Sequence, residues 1–121
     1  MPEAPIDDAA FAELLETVGG DLEFLAELID TYLGDSPGLF AQLRAAIAAG
    51  DAVAARRAAH TLKSTSASFG ANGLAAQCRE IEAAAGAGEL GGLEARVDAA
   101  AASYVDVEAA LRSAMTAGEV A

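Results

Sequence analysis

Three features of the sequence predict an all-α fold: an antiparallel four-helix bundle with a short N-terminal helix. Apolar residues recur at helical spacing along the chain, and strand-type alternation is absent. Apolar residues make up 54% of the chain, and much of that fraction is alanine, the strongest helix former. Where the period breaks stand glycines, which end helices, and aspartates, which cap them. A length of 121 residues holds one domain with a real core and is too short for two.

The elements follow in order. Residues 1–6 read as a flexible leader and residues 7–117 as the bundle domain. Asp7 or Asp8 caps a short helix carrying Phe11, Leu14, Leu15 and Val18, which ends at Gly19-Gly20. Asp21 caps the next, with Leu22, Leu25, Leu28, Ile29 and Tyr32 on its apolar side. Gly34-Asp35-Ser36-Pro37 interrupts the pattern, and proline suits the first turn of a helix capped by Asp35 or Ser36. Leu39, Leu43 and Ile47 then point inward until Gly50, so residues 21–49 fit either two helices or one bent helix. Asp51 caps a helix that ends near Phe69-Gly70, and Ala71-Asn72-Gly73 is the turn. Leu74, Cys78 and Ile81 mark the helix after it, and Ala83 to Gly92 reads as a frayed end and loop. The last helix carries Leu93, Val97, Ala100, Tyr104, Val107, Leu111 and Met115, alternating steps of four and three as a bundle requires.

Composition removes several function classes. A net charge of −12 repels nucleic acid and anionic membranes. Six aromatic residues and no tryptophan leave no broad stacking surface for single strands. No apolar run approaches the ~20 residues of a membrane span. The start, Met1-Pro2-Glu3-Ala4-Pro5, lacks the basic and apolar segments of a signal peptide. A cytoplasmic protein is expected, and the single cysteine, Cys78, agrees with a reducing compartment.

His60 is the only histidine. On an ideal helix its neighbours Ala55, Ala58, Leu62, Thr65 and Phe69 form the core stripe. His60 stands about 200° from both Ala58 and Leu62, so it points to solvent. Arg56, Arg57, Lys63, Ser64 and Ala67 share that outer face. Folding the hairpin about residues 70–73 sets Glu82 opposite His60 and Arg79 opposite Lys63 and Ser64. Four of the seven Lys and Arg residues thus surround one imidazole on an acidic chain. An exposed imidazole in its neutral form is a nucleophile toward phosphorus. Lys63, one turn away, is placed to hold a phosphoryl oxygen. No Walker-type loop and no kinase motif set accompanies them, so no autonomous kinase activity is expected and a partner must supply the rest of the site.

The run Ala58-Ala59-His60-Thr61-Leu62-Lys63-Ser64-Thr65-Ser66-Ala67-Ser68-Phe69-Gly70-Ala71 resembles the signature of histidine-containing phosphotransfer (HPt) domains. Those read alanine-His-x-Leu-Lys-Gly-small-small, then an apolar residue, Gly and Ala. Gly50-Asp51, Leu74, Cys78, Ile81-Glu82 and the upstream Phe24-Leu25-Ala26-Glu27-Leu28-Ile29 fit the same pattern, over roughly residues 7–115. The resemblance implies a free-standing HPt protein of a multistep phosphorelay. His60 is then the phosphorylated residue, accepting from a receiver-domain aspartate and passing the group to, or back from, a response regulator. Lys63 is the family's lysine beside it. The implied partners are receiver domains of response regulators and hybrid histidine kinases, with Mg²⁺ on the receiver and no cofactor of the chain's own.

Two departures stand out: Ser64 where the family usually has glycine, and Glu82 where some members have glutamine. The expected docking surface is the groove beside His60 formed by Arg56, Arg57, Ser64, Ala67, Gln77, Arg79 and Glu82. A monomer is expected, because one bundle consumes the apolar stripes. The competing reading is a receiver- or kinase-binding adaptor with the same bundle and no phosphate, which would be expected to lose His60 or Lys63. An enzyme using Cys78 with His60 as base is disfavoured, because Cys78 sits on the core stripe. Metal chemistry is disfavoured because one His and one Cys are too few soft ligands.

Overall fold

A computed structural model describes the backbone of residues 4–120 and the side chains of residues 4–116. It has five helices in these residues: α1 (Asp8–Thr17), α2 (Leu22–Ala49), α3 (Ala52–Ser68), α4 (Asn72–Gly86) and α5 (Leu93–Val120). Helices α2 to α5 run antiparallel through short connections. Each packs on its chain neighbour, and α2 against α5 closes the ring. Leu25, Leu43, Leu62, Ile81, Leu93, Val97, Val107 and Leu111 fill the centre with almost no exposure.

The aspartates act as caps. Asp7 accepts from the amides of Ala9 and Ala10, Asp21 from Phe24, and Asp51 from Ala54. Helix α1 lies outside the ring, and its Phe11, Leu14, Leu15 and Val18 are only partly buried against the core. Ile6 departs from the expectation of a loose leader: it is buried in the core, and the Asp7 amide donates to the Gly70 carbonyl at 2.8 Å. Residues 1–3 of that leader lie outside the described residues. Gly70 is required there twice over. Its φ is +77°, and a β-carbon would stand 3.0 Å from the Ala10 β-carbon and 3.1 Å from the Asp7 carbonyl oxygen.

Residues 22–49 are one helix, with Pro37 inside it. Proline has no N–H, so the Leu33 carbonyl four residues back loses its helical donor. The Tyr104 hydroxyl of α5 donates to that carbonyl at 3.3 Å, which supplies a replacement. Ser36 is no cap; it is buried and donates to the Tyr32 carbonyl at 2.6 Å. Phe40 is also buried and stacks near Tyr104, with ring centroids 5.7 Å apart. At the other corner, α4 stays helical through Gly86 and buries Ala85, so the frayed stretch is shorter than expected.

Candidate functional site: the His60 face of the α3–α4 hairpin

Helices α3 and α4 meet along short side chains. Ala55, Ala58 and Ala59 on α3 and Ala75 and Ala85 on α4 are buried, which allows close approach of the two backbones. The turn between them centres on Ala71, and His60 and Glu82 stand eleven residues to either side of it. An antiparallel hairpin therefore sets them face to face.

Glu82 holds two partners at once. His60 Nδ1 lies 2.6 Å from Glu82 Oε2, and Lys63 Nζ donates to Glu82 Oε1 at 2.6 Å. The side chains differ in exposure: His60 57%, Lys63 26% and Glu82 15%. The Lys63 hydrogen bond is the main cause holding the Glu82 carboxyl below its ordinary range. Partial burial opposes it, and the His60 contact adds to it. An ionised carboxylate only accepts hydrogen bonds, so the neutral ring carries its hydrogen on Nδ1. Its lone pair is then on Nε2, at the ring edge away from Glu82.

The expected docking residues do not form one groove. Arg57 lines a hollow between α2 and α3 with Leu39, Gln42 and Thr61, and Ser64 falls on that flank by helical angle. Arg56, Lys63 and Ala67 stand on the α4 flank. There the Arg56 Cδ lies 3.5 Å from where a Gly86 β-carbon would be. Gln77 is misplaced in the expectation. It is about 140° around α4 from Glu82, in a hollow with Ser103 and Asp106 of α5. Arg79 is exposed. Among the described residues, Arg44, Arg96 and Arg112 pair with Asp98, Glu80 and Glu108, while Arg56, Arg57 and Arg79 form no ion pair.

Two features escaped the sequence reading. Ser66, on the inner face of α3, is fully buried and shares a 2.8 Å hydrogen bond with the Tyr32 hydroxyl. Its position one turn after Leu62 on the core stripe was the available signal. The ion pair from Lys63 to Glu82 was also not foreseen, because the hairpin register set Arg79 opposite Lys63. Cys78 is fully buried, and burial pushes its thiol up to about 11, so it is a neutral core side chain. Among the described residues no helix is long and apolar enough to cross a membrane.

A family model described as the Hpt domain matches residues 27–117. The chain belongs to the Hpt-domain family, and it is a histidine phosphotransfer intermediate of two-component phosphorelays. Proteins of this family are phosphotransfer carriers rather than kinases, and Hpt domains interact with receiver domains. It is similar to histidine-containing phosphotransfer protein B (HptB) from Pseudomonas aeruginosa PAO1. That crystal structure matches with a TM-score of 0.86 and 31% identity, over 95% of this chain and 97% of that one. No curated protein matches the sequence.

Proposed function

We propose that His60 Nε2 is the atom that carries phosphate, received from the phosphoaspartate of one receiver domain and delivered to the aspartate of another. The supporting observation is the 2.6 Å contact of Nδ1 with the Glu82 carboxylate on a ring that is more than half exposed. One nitrogen is engaged inward, and the other is left to meet a partner. In the step, the Nε2–P bond forms, the acyl-phosphate O–P bond breaks, and the aspartate leaves as a carboxylate. The Nδ1 hydrogen stays shared with Glu82. Charge on the moving group is met by Mg²⁺ bound to the receiver and by Lys63 from this chain. The chain contributes the imidazole and the Lys63 ammonium, with no cofactor and no kinase activity of its own.

The receiver covers the ridge of α3 from both flanks, touching Arg57 and Ser64 on one side and Arg56, Ala67, Arg79 and Glu82 on the other. The unpaired arginines orient it on an otherwise acidic surface. The domain that does this is residues 6–117, with Ile6 in its core, acting as a monomer in the cytoplasm. Incubation with a ³²P-labelled phosphoreceiver tests the reading. The expected product is acid-labile, base-stable phosphate on the wild-type chain and none on a folded His60→Gln variant. Label that persists in His60→Gln overturns it, and a chain that binds the receiver but takes no label is an adaptor.

A further inference from the structure

We infer that Glu82 competes with the phosphoryl group for Lys63, and so makes this chain a readier donor than acceptor of phosphate. The inference rests on His60 being the phosphorylated residue. Two anions draw on the same ammonium, because Lys63 pairs with Glu82 while Arg56, Arg57 and Arg79 form no ion pair with it. In the resting site Lys63 Nζ is 2.6 Å from Glu82 Oε1, on the α4 flank, while Glu82 Oε2 holds Nδ1. A phosphoryl group on Nε2 sits at the opposite edge of the ring and calls for the same ammonium.

Each way of settling that conflict weakens the phosphorylated state. If Lys63 stays on Glu82, the phosphoryl oxygens lack its ammonium. If Lys63 moves, a carboxylate with only 15% exposure keeps one hydrogen-bond partner instead of two. Direct repulsion does not decide the matter. The carboxylate attracts the ring, which becomes more positive on phosphorylation, at ~4 Å. It repels a doubly charged phosphoryl at roughly twice that distance, and the two effects offset each other. The contest for Lys63 is what remains. A glutamine at position 82 accepts the Nδ1 hydrogen through its amide oxygen but forms no ion pair with the lysine, which is then free for the phosphoryl group.

The test needs no partner protein. Phosphoramidate phosphorylates the imidazole directly: its P–N bond breaks, ammonia leaves, and the P–Nε2 bond forms. At set phosphoramidate and ammonium concentrations, the ratio of phosphohistidine to histidine, read by ³¹P NMR, reports how strongly the full chain holds phosphate. Glu82→Gln is expected to raise that ratio roughly three- to tenfold, because one charge-assisted contact at a partly exposed site is at stake. In a Lys63→Ala background the gain from Glu82→Gln is expected to vanish. An unchanged or lower ratio in Glu82→Gln, or an undiminished gain without Lys63, overturns the competition. Failure of the wild-type chain to form any phosphohistidine removes the phosphorylated-His60 reading and this inference together. Equal ratios in wild type and Glu82→Gln remove the inference alone.

Discussion

The two faces of α3 treat polar groups in opposite ways. Inside, Ser66 and Tyr32 share a hydrogen bond sealed from water, and burial pushes the Tyr32 hydroxyl up to about 12. The Tyr104 hydroxyl is likewise raised by burial and occupied by the carbonyl that Pro37 leaves free. These groups are neutral and fully partnered, which suits a low-dielectric core. Outside, His60, Lys63 and Glu82 are joined by hydrogen bonds of the same length or shorter, yet one of the three is more than half exposed. The inner network has no open end, whereas the outer one ends on an exposed ring with only Nδ1 engaged by Glu82. Saturation gives stability; a network left one partner short gives chemistry.

That contrast breaks if inner-face and outer-face substitutions act alike. Leu62→Ala, on the inner face, should have the largest effect, about 2–5 kcal/mol lost from unfolding free energy as a cavity opens. Transfer per folded molecule should be kept. Chemical denaturation beside a transfer assay measures both, and a transfer defect in the folded fraction would blur the two faces. Lys63→Ala should do the reverse, raising the transfer barrier by about 1–3 kcal/mol while weakening receiver binding less. Rapid-quench transfer rates compared with titrated affinities decide this, and an unchanged rate with a large affinity loss makes Lys63 a docking residue only.

Acid sharpens the comparison further. The Glu82 carboxyl is held below its ordinary range, first by Lys63. The stability it contributes is present above the unfolded value of ~4.3 and is lost as pH falls through the lower folded value. Glu82→Gln should therefore flatten the acid side of a melting-temperature curve and leave pH 7 to 8 flat in both proteins. An acid-side slope unchanged in Glu82→Gln assigns it to other carboxylates. The smallest effect is electrostatic steering. Arg57→Glu should slow receiver association a few-fold at low salt, with the difference shrinking as salt rises. Arg112→Glu, on α5 and paired with Glu108, should do little. Stopped-flow binding at two ionic strengths separates them, and equal losses place docking elsewhere.

Much of this was legible in the residues because it depends on local rules. Helical period placed His60 outward and Leu62, Cys78 and Ile81 inward, and the capping aspartates marked three helix starts. Equal spacing about Ala71 brought Glu82 to His60. Tertiary compensation was not legible. Pro37 signals a break, and only Tyr104, 67 residues later, supplies the donor that lets α2 continue. Ile6 looks like part of a leader until the close approach at Gly70 is seen. Gln77 was placed beside His60 by proximity along α4, and the helical angle puts it against α5. The departure at Glu82 was visible as a residue type. Its partnership with Lys63 required the register of two helices to within one turn.

The position of phosphorus on the ring is the most direct measurement. The full chain, ¹⁵N-labelled in histidine, would be phosphorylated and examined by ¹H–¹⁵N and ³¹P NMR. The expected result is a single phosphorus on Nε2 of His60, with the hydrogen on Nδ1 before the reaction. Phosphorus on Nδ1, or on any residue other than His60, would contradict the arrangement in which Glu82 holds one nitrogen and presents the other.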